Sequence, residues 1–495
     1  MKKMQRTTAE ILRNRIGYIY YAFFLIGAGL FLSGYTVSNY NFALVGIIMI
    51  FLADVIYSFS ILRKNFLFLF LQVTIFTFLL SRPFIGLCTG SDWWNSSSQA
   101  AENIWFALWL LFLTEAGLFI GAVLAGRFAV SPKETELKSQ FCTELQWASL
   151  LVFAVSFVFY LIEQLEPLML IGSGNYLKYY TDFTSSLPEI VHTIASFMKY
   201  SMCVFLATFP SKKKAFTVLL LYVASTLPSF CIGVRNPFIL SLIFSLSYYM
   251  LRDFIGNKEK WIGKIEKILM AVGTPLLIVF MVAYTSFRSG QGLKIGNIFS
   301  MFVDFFYGQG VTFEVLCIGY GYMSGLRILC PANYTFGGII DYIYRGTIGQ
   351  KIFHTEPLTS YNSLFNVQNG NSLSHALSYL SMPDDYLSGR GRGSSYLLEV
   401  FSDYDYIGVA IFSLVIGALL IFMVNGFGRR ILISTIILVV LENIFFMPRA
   451  EATSWMTFLV TIQFWVCIAG CYFCAWIFCR WNLREKISQV IGRKK

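Results

Sequence analysis

Charge is scarce in this chain. Only 13% of its 495 residues are Asp, Glu, Lys or Arg, where a soluble domain carries roughly 25%. That shortage excludes the three or so soluble domains a chain of this length could otherwise form at ~150 residues each. Histidine is scarcer still, with three in all. His192 falls at the end of an apolar run, and His354 and His375 lie 21 positions apart without carboxylates at ligand spacing. Neither pattern builds a metal site, so none is expected. Phosphate-binding glycine loops and G-x-S-x-G are missing, and there is no internal repeat, coiled coil or low-complexity tract. Ten cysteines are present, four of them in the last apolar run. Cys471 and Cys474 copy a C-x-x-C spacing without a second pair, which reads as apolar packing. Cys317 and Cys330 share the region between runs nine and ten and are close enough in sequence to pair.

What fills the chain instead is apolar. Hydrophobic residues reach 56% and aromatics 18%, and mean hydropathy is +0.64. Twelve apolar runs are long enough to span a bilayer, which takes ~20 residues each. The first is 17–36 and the last 454–479. The first is too long for a cleavable signal and has no small-residue cleavage site, so it reads as a retained span. The expected fold is therefore all-α and polytopic, with about twelve transmembrane helices and one long extracytoplasmic loop containing short helices. Its organisation is membrane helices over 1–287, the outer loop over 288–404, and helices ten to twelve with a tail over 405–495.

Net charge is +11, which could indicate nucleic acid, but its placement indicates topology. Arg63-Lys64, Lys212–Lys214 and Arg429-Arg430 mark alternate loops, as do 127–138, 252–267 and both ends of the chain. Together these segments hold 26 of the 38 basic residues. The positive-inside rule makes that side cytoplasmic and puts both termini there. Nucleic acid is not an expected partner. Within 288–404, the stretch 296–322 is apolar but broken by Asp304, Gln309 and Glu314, and reads as helices lying on or re-entering the membrane. The stretch 327–404 is rich in Gly, Ser, Asn and Tyr and reads as an ordered, polar-binding loop.

The basic residues left on the outer side are mostly arginine, at positions the positive-inside rule disfavours. Arg82 ends the third run, Arg235 sits in a Gly-Val-Arg-Asn-Pro turn, Arg288 ends the ninth run, and Arg449 lies in Met-Pro-Arg-Ala-Glu. Arg390 and Arg392 alternate with glycine in the loop. A single interfacial arginine can simply snorkel to headgroups. A set of them suits a shared anion better, because the guanidinium fork grips phosphate oxygens in pairs and stays charged. Flanking glycines let backbone amides approach the same anion. An anion at the outer surface beside Tyr, Asn and Ser points to a lipid-linked sugar phosphate. Glycosyl transfer on such a substrate needs a base for the acceptor hydroxyl and cationic relief for the leaving phosphate. The acid–base candidates in the loop are His354, Glu356, His375, Asp384, Asp385, Glu399 and Asp403, with Glu399 favoured by its place just after the arginine pair. Asp54, Glu115, Lys199 and Glu442 lie inside apolar runs, where each costs roughly 2.5–3.5 kcal/mol on insertion scales. They read either as an ion relay or as a packing pair of Lys199 with Glu115 or Asp54.

Gly391-Arg-Gly-Ser-Ser-Tyr-Leu-Leu-Glu399, running into Asp403-Tyr-Asp-Tyr-Ile-Gly408, resembles the end of the long outer loop in Wzy-type O-antigen and capsule polymerases. The Gly233-Val-Arg-Asn-Pro237 turn and Arg288-Ser-Gly are similar to that family's short outer arginine motifs. Asp403-Tyr404-Asp405 replaces the family's usual Asp-Phe-Gly. The resemblance implies a polymerase in the bacterial cytoplasmic (inner) membrane that joins undecaprenyl-diphosphate-linked repeat units. It implies Arg235, Arg288, Arg390 and Arg392, with Arg82 and Arg449, as diphosphate ligands. It also implies Glu399 or His354 as the base, no metal or nucleotide cofactor, and a flippase and chain-length regulator as further partners. An O-antigen ligase shares the architecture. A lipid-linked oligosaccharide flippase or proton-coupled transporter is the alternative from another class, although its two related halves are not evident.

Overall fold

The computed structural model describes the backbone of residues 2–91, 93–94, 100–128, 140–173, 176–181, 183–255, 260–288, 298–329 and 332–481. Side chains are described from 18 onward, those of 176–177, 283, 285–288 and 298 excepted. Among the described residues every regular element is helical and none is a strand. This is the solution a bilayer imposes, because a helix satisfies its own backbone amides and carbonyls where water cannot.

Among the described residues thirteen helices are long and apolar enough to cross a membrane. They are α1 (Tyr18–Thr36), α2 (Tyr40–Ser60), α3 (Leu62–Thr89), α4 (Ala101–Phe128), α5 (Gln140–Ile171), α6 (Glu189–Ala207) and α7 (Lys212–Ile232). Then follow α8 (Asn236–Ile255), α9 (Lys264–Val282), α10 (Phe299–Gly321), α11 (Tyr396–Gly426), α12 (Ile431–Arg449) and α13 (Ile462–Trp481). Twelve correspond to the runs read from sequence. The additional one is α10, expected as re-entrant or interfacial helix, and it is indeed two helices, Ile298–Gln309 and Thr312–Gly321, broken at 310–311. Among the described residues six short helices lie within 323–387, between α10 and α11.

The chain forms two compact units. The first comprises Met1–Val130, Ile262–Asn425 and Ile444–Ser454, and the second Ser131–Trp261, Gly426–Asn443 and Trp455–Lys495. In the first unit α4 and α11 run in close contact along Gly117, Gly121 and Gly417. A Cβ at Gly121 would collide with the Leu414 carbonyl, and one at Gly417 with the Leu118 carbonyl. Small residues at such seams let helices approach where lipid supplies no hydrophobic drive. Within α11, Asp405 breaks the helix at φ 58°, ψ −167°, a conformation glycine tolerates and aspartate does not favour. Its Oδ1 accepts a 2.7 Å bond from the Tyr406 amide and so caps the second half of the helix.

Candidate active site

Arg82 and Arg449 both reach α10 beside its break. Gly310 lies against the backbone of Arg82, where any side chain would clash, and the Ser81 hydroxyl donates to the Phe306 carbonyl at 2.7 Å. These contacts pin the break onto α3. The Arg82 guanidinium then sits 4.5 Å above the Tyr307 ring and 3.1 Å from Glu314 Oε1. Arg449 donates to Gln309 Oε1 at 3.1 Å and lies over Phe78. Arg82 Nε is buried without a hydrogen-bond partner. A small cleft beside it is lined by Arg82, Pro83, Trp93, Trp94, Phe313 and Glu314. Indole faces next to a guanidinium are the pairing that a sugar phosphate requires: an apolar face for the ring and a fork for the anion.

Arg390 and Arg392 stand on the loop before α11. Arg390 pairs with Asp385 at 2.8 Å with both side chains well exposed, an arrangement an incoming anion can displace cheaply. Arg392 gives its Nε to Ser381 Oγ at 2.7 Å, and its amide goes to Ser378 Oγ at 3.0 Å. Gly389 (φ 89°) and Gly393 (φ 81°) turn the chain on either side. Asn362 fastens the loop by donating to the carbonyls of Tyr386 and Arg390 at 2.8 and 2.9 Å. Nearby His375 Nδ1 lies 2.7 Å from the Tyr386 hydroxyl. Burial lowers the His375 pKa, partly opposed by Asp341, and burial pushes Tyr386 up to about 12. Arg235 belongs to the second unit, half-buried in the turn before α8. The Arg288 side chain lies outside the described residues, as does Cys330, the suggested partner of Cys317. Of the four arginines expected to converge, Arg390 and Arg392 are thus the pair described within one unit.

Glu399 is fully buried. Its Oε1 accepts from Ser394 Oγ at 2.6 Å and its Oε2 from the Ala452 amide at 2.7 Å. Asp403 Oδ2 accepts from the Thr335 amide at 2.6 Å, and Thr453 Oγ1 donates to the Thr335 carbonyl at 2.6 Å. The two carboxylates tie three distant segments together: 333–336, the start of α11, and 450–453. Glu451 and Asp403 are the acidic groups facing Glu399. Burial raises the Glu451 pKa, and Asp341 adds to the rise against a hydrogen bond with Ser372. His354 is exposed, in left-handed conformation at the end of the short helix Thr347–Phe353.

Two features escaped sequence reading. In the second unit His192 Nδ1 lies 2.8 Å from Glu163 Oε1, and His192 Nε2 lies 3.1 Å from Ser185 Oγ. Ser185 also donates to Glu166 Oε2 at 2.5 Å, and Ser186 gives Glu166 Oε1 its amide and hydroxyl. The signal was there as Glu163 and Glu166 one turn apart at the end of a span, a Ser-Ser pair, and a histidine opening the next span. Their convergence is visible only in the folded chain. The second feature is a correction. Lys199 pairs with neither Glu115 nor Asp54 but lies 3.8 Å from Glu442 Oε2 in the second unit. Asp54 and Glu115 sit together in the first.

A family model described as O-antigen polysaccharide polymerase Wzy matches residues 18–482. No curated protein and no solved structure matches the chain.

Proposed function

Given that the chain belongs to the O-antigen polysaccharide polymerase Wzy family, and so is a multi-pass inner-membrane polymerase of lipid-linked glycan, we propose the following chemistry. The donor is a growing glycan on undecaprenyl diphosphate, and the acceptor is one repeat unit on the same carrier. The acceptor's non-reducing sugar hydroxyl attacks the donor's anomeric carbon. The C–O bond to the diphosphate breaks, the bonding pair leaves with the diphosphate, and the hydroxyl proton passes to a protein base. The diphosphate is a stabilised leaving anion, so arginines can offset its charge without a nucleotide or metal. Flippase and chain-length regulator act before and after this step.

The observation that carries the reading is Arg82 beside Trp93 and Trp94 at the break in α10, where Arg449 also reaches Gln309. Arg390, with its displaceable ion pair, and Arg392 serve the same anion class from the loop, and Arg235 and Arg288 from their own turns. Both oxygens of Glu399 are occupied, which fits a positioning role better than direct proton transfer. His354 is open to a substrate hydroxyl. Glu163 at Nδ1 orients the His192 ring, and Ser185 Oγ marks where a hydroxyl can lie against Nε2.

The test is polymerisation by the purified chain in nanodiscs supplied with lipid-linked repeat units. Arg82→Lys keeps the charge but loses the fork, and chain extension should fall at least tenfold. The direct base should lose 10²–10⁴-fold on substitution by glutamine. Comparing His354→Gln, His192→Gln and Glu399→Gln therefore identifies it. Transfer of the glycan to a lipid A-core acceptor instead of growth would mark a ligase. Repeat units crossing the bilayer without bond formation would mark a flippase.

A further inference from the structure

Four helices of the first unit enclose polar side chains for which the described residues supply no hydrogen-bond partner of normal geometry. Asp54 on α2, Gln72 on α3, and Thr114 and Glu115 on α4 are wholly buried, as are Tyr396 and Ser413 on α11. Both oxygens of Asp54, both oxygens of Glu115, both polar atoms of Gln72 and the hydroxyls of Thr114, Tyr396 and Ser413 have no hydrogen-bond partner of normal geometry. Yet they face one another. Asp54 is turned to Glu115, Glu115 to Gln72, and the Tyr396 hydroxyl to Thr114 and Ser413 with Glu115 behind. Tyr57 is the other titratable group turned toward Asp54. Among the described residues no lysine, arginine or histidine is one of the groups that face either carboxyl.

Such a cluster cannot be left dry and charged. Two carboxyls sharing one water-poor site cannot both ionise without a countercharge, and unpaired buried polar groups are individually expensive. The set contributes eight oxygens: four from the carboxyls, one from the Gln72 amide and three from hydroxyls. Oxygen donors of this kind suit a small hard cation. The site also borders the seam where α4 and α11 run in close contact. Gly117 abuts Ser413 and the Ala410 carbonyl, so no larger cationic side chain can enter from there.

We propose that Asp54 and Glu115, with Gln72, Thr114, Tyr396 and Ser413, form an intramembrane site for one small monovalent cation, Na⁺ or a proton. Occupancy ties α2, α3 and α4 to the start of α11. Tyr396 stands one turn before Glu399, so the site also steadies the helix that carries the Glu399 anchor. This inference does not depend on the polymerisation chemistry.

The experiment is thermal unfolding of the full chain in nanodiscs, with NaCl titrated against choline chloride at several pH values between 5.5 and 8.5. A Na⁺ site raises the midpoint by a few degrees as Na⁺ replaces choline, because a ligand binding only the folded state stabilises it by mass action. A proton site gives no Na⁺ response but a midpoint that rises as pH falls. In the Asp54→Asn/Glu115→Gln double variant the Na⁺ response should vanish, and the pH response should shrink to the part that Glu451 contributes. Should that variant fail to fold, Gln72→Met keeps both carboxyls and should weaken the Na⁺ response or shift the pH response. A wild-type midpoint indifferent to Na⁺ and to pH overturns the proposal. So does stabilisation by Ca²⁺ or Mg²⁺ alone, or the same response in wild type and both variants.

Discussion

Arg82 illustrates how much a single residue's surroundings decide. Its charge is held by Glu314, its face by Tyr307, and its Nε by nothing. An anion arriving there must compete with Glu314 for the fork. Glu314→Gln should therefore tighten binding of a short lipid diphosphate severalfold, measurable by calorimetry on the detergent-solubilised chain, whereas Arg82→Lys should weaken it. Asp405 supports a second residue-scale prediction. Its φ of 58° with ψ near 180° stores of order 1–3 kcal/mol of strain. Glycine relieves that strain but forgoes the cap on Tyr406 and adds backbone entropy. Asp405→Gly should leave stability unchanged or raise it by about 1 kcal/mol, as read by chemical unfolding. A loss of more than that would show that the cap outweighs the strain.

At the scale of elements, the closeness of α4 and α11 rests on three glycines. Gly121→Val drives a branched side chain into the Leu414 carbonyl. Overpacking of this kind typically costs 1–3 kcal/mol, so the variant should unfold at lower denaturant and fail to polymerise. The latch made by Glu399, Asp403 and the segment 450–453 has its own pH dependence through Glu451. Its folded pKa is raised, so the folded state holds that proton more tightly than the unfolded one. Stability is then greatest below the unfolded value, ~4.3, and falls as pH rises through the folded pKa. Hydrogen exchange across 444–454 should accelerate over that window in wild type, and Glu451→Gln should flatten the dependence.

For the whole molecule the decisive question is whether α10 crosses. We propose that it enters and returns on the outer side, broken at Gly310, so that twelve helices cross and both termini are cytoplasmic. Alkaline-phosphatase fusions at Asn371 should then be active and those at Lys213 inactive. A crossing α10 would place 322–395 in the cytoplasm and silence the Asn371 fusion, with the C-terminus outside.

Sequence by itself determined the helical membrane class. Apolar runs of spanning length with sparse charge leave a bilayer no other satisfied backbone, and twelve of thirteen such helices lie where the runs are. Motif residues also carried the family, since Gly391–Glu399 and Arg235 are local signatures that need no partner to be legible. Tertiary structure alone decided which charged residues meet. Arg82 and Arg449 are separated by most of the chain, and only the break at Gly310 brings both to one helix. Glu399 reads as a base candidate from its place after the arginine pair, and folding buries it against the Ala452 amide. By sequence Lys199 reads as a partner of Glu115 or Asp54, and the fold gave it Glu442 instead. Helical periodicity sets which face a residue occupies, but partners across helices are set by packing between segments hundreds of residues apart, and one chain's pattern does not encode that pairing locally.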